Sequence, residues 1–183
     1  MNPLSKKLVT LIEIAIMAAI ATVLDKLAIY QAPYGGSITL VMIPILVVGL
    51  RRGLWAGMTA GLLTGILQLL LGGYIVHPIQ LLLDYPIAFG ALGIAGLVHL
   101  KQGQNKNRQI LLSGIGIFIA GLGRLLSHFV SGIVFFADSA PKGQSPYLYS
   151  FVYNAAYMVP NMILALIVAI ILIYTAPQLV YRR

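Results

Sequence analysis

The chain contains no cysteine. Disulfides, thiolate metal sites and cysteine nucleophiles are thereby excluded, and no redox compartment can be read. Charge is also scarce: four Asp and Glu stand against twelve Lys and Arg, and charged side chains make up only 9% of 183 residues. A soluble domain carries about 25%. Here 60% of residues are hydrophobic and mean hydropathy is +0.94, the composition of an integral membrane protein. A single membrane domain over residues 1–183 is the natural count. The net charge of +8 is no nucleic-acid footprint, because the basic residues form small clusters between apolar runs and no continuous basic face.

A helix needs about 20 apolar residues to cross a hydrocarbon core of about 30 Å. Six segments are predicted, over residues 8–29, 38–50, 54–71, 79–98, 110–136 and 149–175. The second is short and contains Pro44. It crosses only if the bilayer thins, or else it is irregular backbone buried by its neighbours. Charge arbitrates between six spans and five. Lys6, Lys7, Arg51, Arg52, Lys101, Lys106, Arg108, Arg182 and Arg183 fall at every second boundary, so six spans place all of them on one side. The positive-inside rule then puts both termini in the cytoplasm of a multi-pass cell-membrane protein. The opposite connections, 30–37, 72–78 and 137–146, are rich in Gly, Pro, Ser and Tyr.

Small residues mark helix contacts. Gly57, Gly61 and Gly65 recur every four positions, and Gly90, Gly93 and Gly96 every three. Such spacing lets backbones approach closely in lipid and predicts packing inside the bundle. Ala15 and Ala19 form a similar pair in segment 1, which fits either an internal contact or another subunit. Trp55, the one tryptophan, starts segment 3 and fits an interfacial belt. Glu13, about six residues from Lys7, predicts a salt bridge or a snorkelled contact near the inner face.

The remaining polar residues gather in the outer half. Asp84 lies about 8 Å inside segment 4 at 1.5 Å per residue. Arg124 and His128, spaced i and i+4, share a ridge of segment 5 with Gly132 and Phe136. Asn154, Tyr157 and Asn161 share a face of segment 6, with Tyr149 about 140° away from Asn154. A carboxylate in such a run costs roughly 2.5–3.5 kcal/mol even on lenient insertion scales. An Asp84–Arg124 ion pair would offset that cost but leaves His128, Asn154 and the aromatic ring unexplained. A pocket explains them better, since small-ligand sites join aromatic walls to a few placed polar groups. Asp84 with the π faces of Tyr74, Tyr85, Phe136 and Tyr149 suits a cation. Asn154 and His128 suit the edge of a flat heterocycle. An intramembrane enzyme using Ser127 or Ser131 with His128 is the weaker reading, because no nucleophile elbow or metal-ligand set surrounds them.

Several long blocks carry a family resemblance: "EIAIMAAIA" (13–21), "IPILVVGLRRG" (43–53), "GGYIVHPIQLLLDYPIAFGALGIAGL" (72–97), "SHFVSGIVFF" and "YSFVYN". The chain resembles the ThiT (YuaJ) family, the thiamine-specific S components of energy-coupling factor (ECF) vitamin transporters. The resemblance implies an all-α bundle of six membrane helices with a thiamine site near the outer face, covered by loops. It implies ligand contacts at Tyr74, Asp84, Tyr85, Arg124, His128, Gly132, Phe136, Tyr149 and Asn154. It also implies contact of Ala15 and Ala19 with the transmembrane coupling protein of an ECF module, whose two ATPases hydrolyse ATP. This chain has no GxxxxGK[ST] loop and is expected to be neither an enzyme nor the holder of a cofactor or metal. Where the family accepts Glu it has Asp84, and where the family accepts Lys it has Arg124. Where the family often has Trp it has Phe136, and only glycines near Tyr34. The same ligand class is expected, held less tightly, since Trp is the strongest cation–π face. An S component for another vitamin would keep the six-helix plan, but an uncharged ligand would have little use for Asp84.

Overall fold

The computed structural model describes residues 3–33 and 36–181. Tyr34, Gly35, Arg182 and Arg183, used in the sequence argument, lie outside them. Six helices form the bundle: α1 (Pro3–Lys26), α2 (Met42–Arg52), α3 (Leu54–Leu70), α4 (Pro78–Leu97), α5 (Lys106–Phe135) and α6 (Pro146–Thr175). Among the described residues α1, α4, α5 and α6 are long and apolar enough to cross a membrane, and α3 is a shorter apolar helix. The connection after α1 is not plain loop. It is a small antiparallel hairpin of β1 (Tyr30–Gln31) and β2 (Ser37–Ile38), with Tyr30 opposite Ile38.

The second predicted segment needs correction. Ile38 belongs to β2, and the helix starts only at Met42. Pro44 falls in its first turn, where a missing N–H leaves no bond unmade. Of its 11 residues, Met42, Pro44 and the run Ile45 to Leu50 are buried. The large exposed apolar side chains sit on the other helices and on the connections, for example Leu8, Ile16, Leu62, Phe118 and Ile167. Helix α2 is therefore sheathed by protein and has no need of a bilayer-spanning length. Its last turn carries Arg51 and Arg52, which suit the negative end of the helix dipole. Both reach Glu13 of α1: Arg51 Nε lies 3.2 Å from Oε1, and Arg52 Nε donates to Oε2 at 2.8 Å. This is the salt bridge the sequence suggested for Glu13.

Helix α4 changes pitch along its length. Pro86 has no N–H, and Ala88 N–H bonds the Leu83 carbonyl across a widened π turn, Leu83–Ile87. The last stretch, Leu92–Leu97, tightens to a 3₁₀ helix. With three residues per turn, Gly93 and Gly96 stack on one line, which accounts for their spacing. The α3 glycines meet this helix backbone to backbone. A Cβ on Gly65 would stand 2.6 Å from the Tyr85 carbonyl oxygen, and one on Gly57 2.9 Å from Gly93 Cα. A Cβ on Gly61 would collide with the Phe89 carbonyl. Gly53, at φ +95°, turns the chain from α2 into α3. The core runs through α1, α2, α4, α5 and α6 and includes Ala21, Ile45, Leu46, Leu92, Ile117 and Met158, while Ala60 of α3 packs with Ile14 and Val48. At one end Leu50, Leu100, Ile173 and Val180 close it, alongside Arg51 and Arg52. The hairpin lies at the other end.

Gly61→Ala is expected to destabilise the protein by about 1–3 kcal/mol, the usual cost of overpacking. Thermal unfolding in detergent reads this. Gly114→Ala is the control, since its Cβ would meet only Leu166 at 3.7 Å, and no loss is expected there.

Candidate functional site

At the hairpin end the helices enclose a cavity of about 580 Å³, within the roughly 300–1,000 Å³ range of small-ligand sites. Tyr74, Asp84, Tyr85, Arg124, His128, Gly132, Phe136, Tyr149 and Asn154 all line it. The structure thus brings together every ligand contact that the resemblance implied, while Asn161, Ser127, Ala15 and Ala19 lie off the cavity lining.

Asp84 is held by three donors. Gln80 Nε2 donates to Oδ2 at 2.7 Å, Ser131 Oγ to Oδ2 at 3.0 Å, and His128 Nδ1 lies 3.1 Å from Oδ1. On the far side of the imidazole, Arg124 Nε donates to Nε2 at 3.3 Å. That bond makes Nε2 the acceptor, so Nδ1 carries the proton toward Asp84. Asp84 and Arg124 therefore communicate through His128, and the direct ion pair weighed from the sequence is replaced by a relay. Both nitrogens of His128 are used in it. The sequence had suggested that His128 bonds the edge of a flat heterocycle. Arg124 is buried, lies over the Phe89 ring at 4.2 Å and leaves Nη1 without a hydrogen-bond partner.

Two tethers draw the connections over the cavity. Tyr85 Oη accepts from Tyr74 N–H at 2.6 Å, while Gln80 donates to the Tyr74 carbonyl at 3.1 Å and accepts from Val76 N–H at 3.1 Å. The widened turn of α4 thus presents Asp84 to the cavity and Tyr85 to the loop together. The Tyr74 and Phe136 rings meet at 6.2 Å. On the other side Tyr153 Oη donates to the Pro33 carbonyl and accepts from Gly36 N–H at 3.1 Å. Asn161 clamps the base of the hairpin, accepting from Thr39 N–H and donating to the Ser37 carbonyl, both at 2.8 Å.

Several roles differ from those the spacing suggested. Asn161 shares a face with Asn154, yet it holds the hairpin. Asn154 donates to the Ser150 carbonyl at 2.8 Å and accepts from Tyr157 Oη at 2.5 Å, so much of its amide is spent inside the wall. Gly132 lines the cavity, but its missing Cβ serves α6, because a side chain there would strike Ser150. Helix α6 begins before Tyr149, not after it, and Tyr149 reaches the cavity along a stack with Tyr153 at 6.0 Å. Ser127 donates to the Leu83 carbonyl at 2.6 Å and Ser131 to Asp84. Both hydroxyls are thus engaged away from the His128 ring. No group of three or more His, Asp and Glu converges among the described residues.

Sequence reasoning missed Gln80 and Asp25, and it took Ser131 only as a candidate nucleophile, not as a donor to Asp84. Gln80 lies one turn before Asp84, and Ser131 lies three positions after His128, so helical spacing could have found both. Asp25 next to Lys26 at a helix end looks like an ordinary interfacial charge pair. Only the folded chain turns it into the cavity.

Residues 11–181 match the family model described as Thiamine transporter protein (Thia_YuaJ). The chain is 45% identical to a thiamine transporter ThiT of Bacillus subtilis (strain 168), covering 96% of this chain and 95% of the relative. It is 34% identical to a thiamine transporter ThiT of Lacticaseibacillus paracasei, covering 95% and 91%. Among solved structures, that of ThiT from Listeria monocytogenes is similar at a TM-score of 0.84 and 33% identity, covering 96% and 99%.

Removing the hairpin tether tests its energetics. Tyr153→Phe is expected to speed amide exchange over residues 30–38 by about 5- to 150-fold, the equivalent of two neutral hydrogen bonds at about 0.5–1.5 kcal/mol each. Exchange in the α2 core should not change.

Proposed function

The chain belongs to the thiamine transporter protein (Thia_YuaJ) family, and from that premise we propose that it is an S component that captures thiamine in the cavity under the hairpin. The observation that carries the proposal is the setting of Asp84. Its carboxylate is fixed by three donors beside the rings of Tyr74, Phe136 and Tyr149. A carboxylate offers about four lone-pair positions, so one remains for the ligand along with the charge. Thiamine carries a thiazolium cation, which gains from both the carboxylate and the ring faces. His128 and Ser131 keep the acid in place, so little ordering cost falls on binding.

The proposal extends to orientation and energy. Arg51, Arg52, Lys101, Lys106 and Arg108 lie toward the end away from the cavity, which supports an outward-facing site and cytoplasmic termini by the positive-inside rule. Thiamine enters from outside, and an ECF module of a transmembrane coupling protein and two ATPases drives its delivery inward. Ala15 and Ala19 are both exposed on α1, whereas Ala18 and Ala21 face the core. A small-residue stripe of this kind supports close approach by a partner helix. The chain itself performs no chemistry on the vitamin.

Isothermal titration of the purified chain with thiamine tests the binding. Native binding is expected, with Asp84→Ala weakening it by about 100-fold or more, as for truncation of one member of a buried charged contact. A folded native sample that gives no heat would overturn the reading. Coupling is tested separately: Ala15→Trp with Ala19→Trp should abolish co-purification with the ECF module and leave thiamine affinity within about threefold, since neither residue borders the cavity.

A further inference from the structure

A second carboxylate faces the cavity. Asp25 stands in the last turn of α1 and lines the wall opposite α4. Among the described residues its one hydrogen bond is a long contact, Thr39 Oγ1 to Oδ1 at 3.4 Å. Thr39 is itself fixed by Asn161, so the acid is placed without being saturated. Arg124 lies at the same cavity within electrostatic range of Asp25, and its buried Nη1 has no hydrogen-bond partner. Lys26 is exposed at the rim, and its Nζ donates to the Leu71 carbonyl at 3.3 Å. Solvent screens a charge in that position.

The charge arithmetic is then simple. Arg124 and Asp84 are joined through His128 and would cancel if they stood alone. A cation entering a neutral cavity would gain little and would meet a bare guanidinium. With Asp25 ionised, the interior carries one net negative charge, matched to one thiazolium.

We propose that Asp25 is a specificity-determining residue, offsetting the charge of Arg124 so that the charge of Asp84 is left for a cationic ligand. The inference rests on the thiamine reading and goes beyond it by assigning the source of charge selectivity. It also gives Arg124 a role compatible with a cationic ligand, as the group that holds His128.

The test compares thiamine with a neutral isostere in which thiophene replaces the thiazolium, by titration calorimetry on the full chain. The readout is the ratio of the two affinities, which a merely structural role would not move. Asp25→Asn is expected to lower the ratio by about tenfold or more, the scale of one uncompensated unit charge in a medium of protein-like dielectric. Asp25→Glu, which keeps the charge, should keep the native ratio. A ratio unchanged in Asp25→Asn, or lost in Asp25→Glu, overturns the inference while native thiamine binding still stands. A folded native chain that binds no thiamine takes down the reading and this inference together.

Discussion

The backbone contact between α3 and α4 is the constraint from which the rest follows. Gly61 and Gly65 let α3 lie directly on the carbonyls of Phe89 and Tyr85. Any side chain at those positions would push α4 away. The close fit gives the widened turn around Pro86 a partner surface, so a helix irregularity that would be costly in lipid is buried in protein. That turn sends Asp84 to the cavity and Tyr85 to the 72–77 connection. The cavity-facing acid and the loop tether thus share one local deformation, itself supported by the glycines of α3.

Hydrogen bonding explains how so many polar groups persist in an apolar bundle. Each unsatisfied polar group in a low-dielectric interior costs on the order of a few kcal/mol. Asp84 draws on Gln80, Ser131 and His128; Asn154 on Ser150 and Tyr157; Asn161 on Thr39 and Ser37. The exceptions stand out against that background. Arg124 keeps an unpaired nitrogen, and Asp25 is only loosely bonded. These two residues are the least satisfied charges at the cavity, which is where binding energy remains available.

The opposite end of the molecule is organised by different physics. Glu13 gathers Arg51 and Arg52 and pins α1 to α2, while Leu50, Leu100, Ile173 and Val180 close the core beside them. Helix α1 is anchored at this ion cluster and by Gln68 to the Thr22 carbonyl at 3.4 Å toward the cavity end. Between these points its exposed face, with Ala15 and Ala19, is open to neighbours.

Composition and periodicity by themselves determined the membrane class, the all-α fold, the approximate segments and the clustering of Asp84, Arg124 and His128. Those features depend on hydrophobicity and on side chains within one or two helical turns, both of which are local. The glycine spacings also announced close packing inside the bundle, because only small residues allow it. Tertiary structure alone decided the rest. It buried most of α2, so that 11 residues sufficed, and it made a hairpin of the first connection. It turned Asp25 inward, set Asn161 to clamping the hairpin, and placed His128 between the two charges. Each of these depends on which groups from distant parts of the chain meet. Helical spacing reports the face a residue occupies, whereas its charge balance and hydrogen-bond partners are set by the helix that packs opposite.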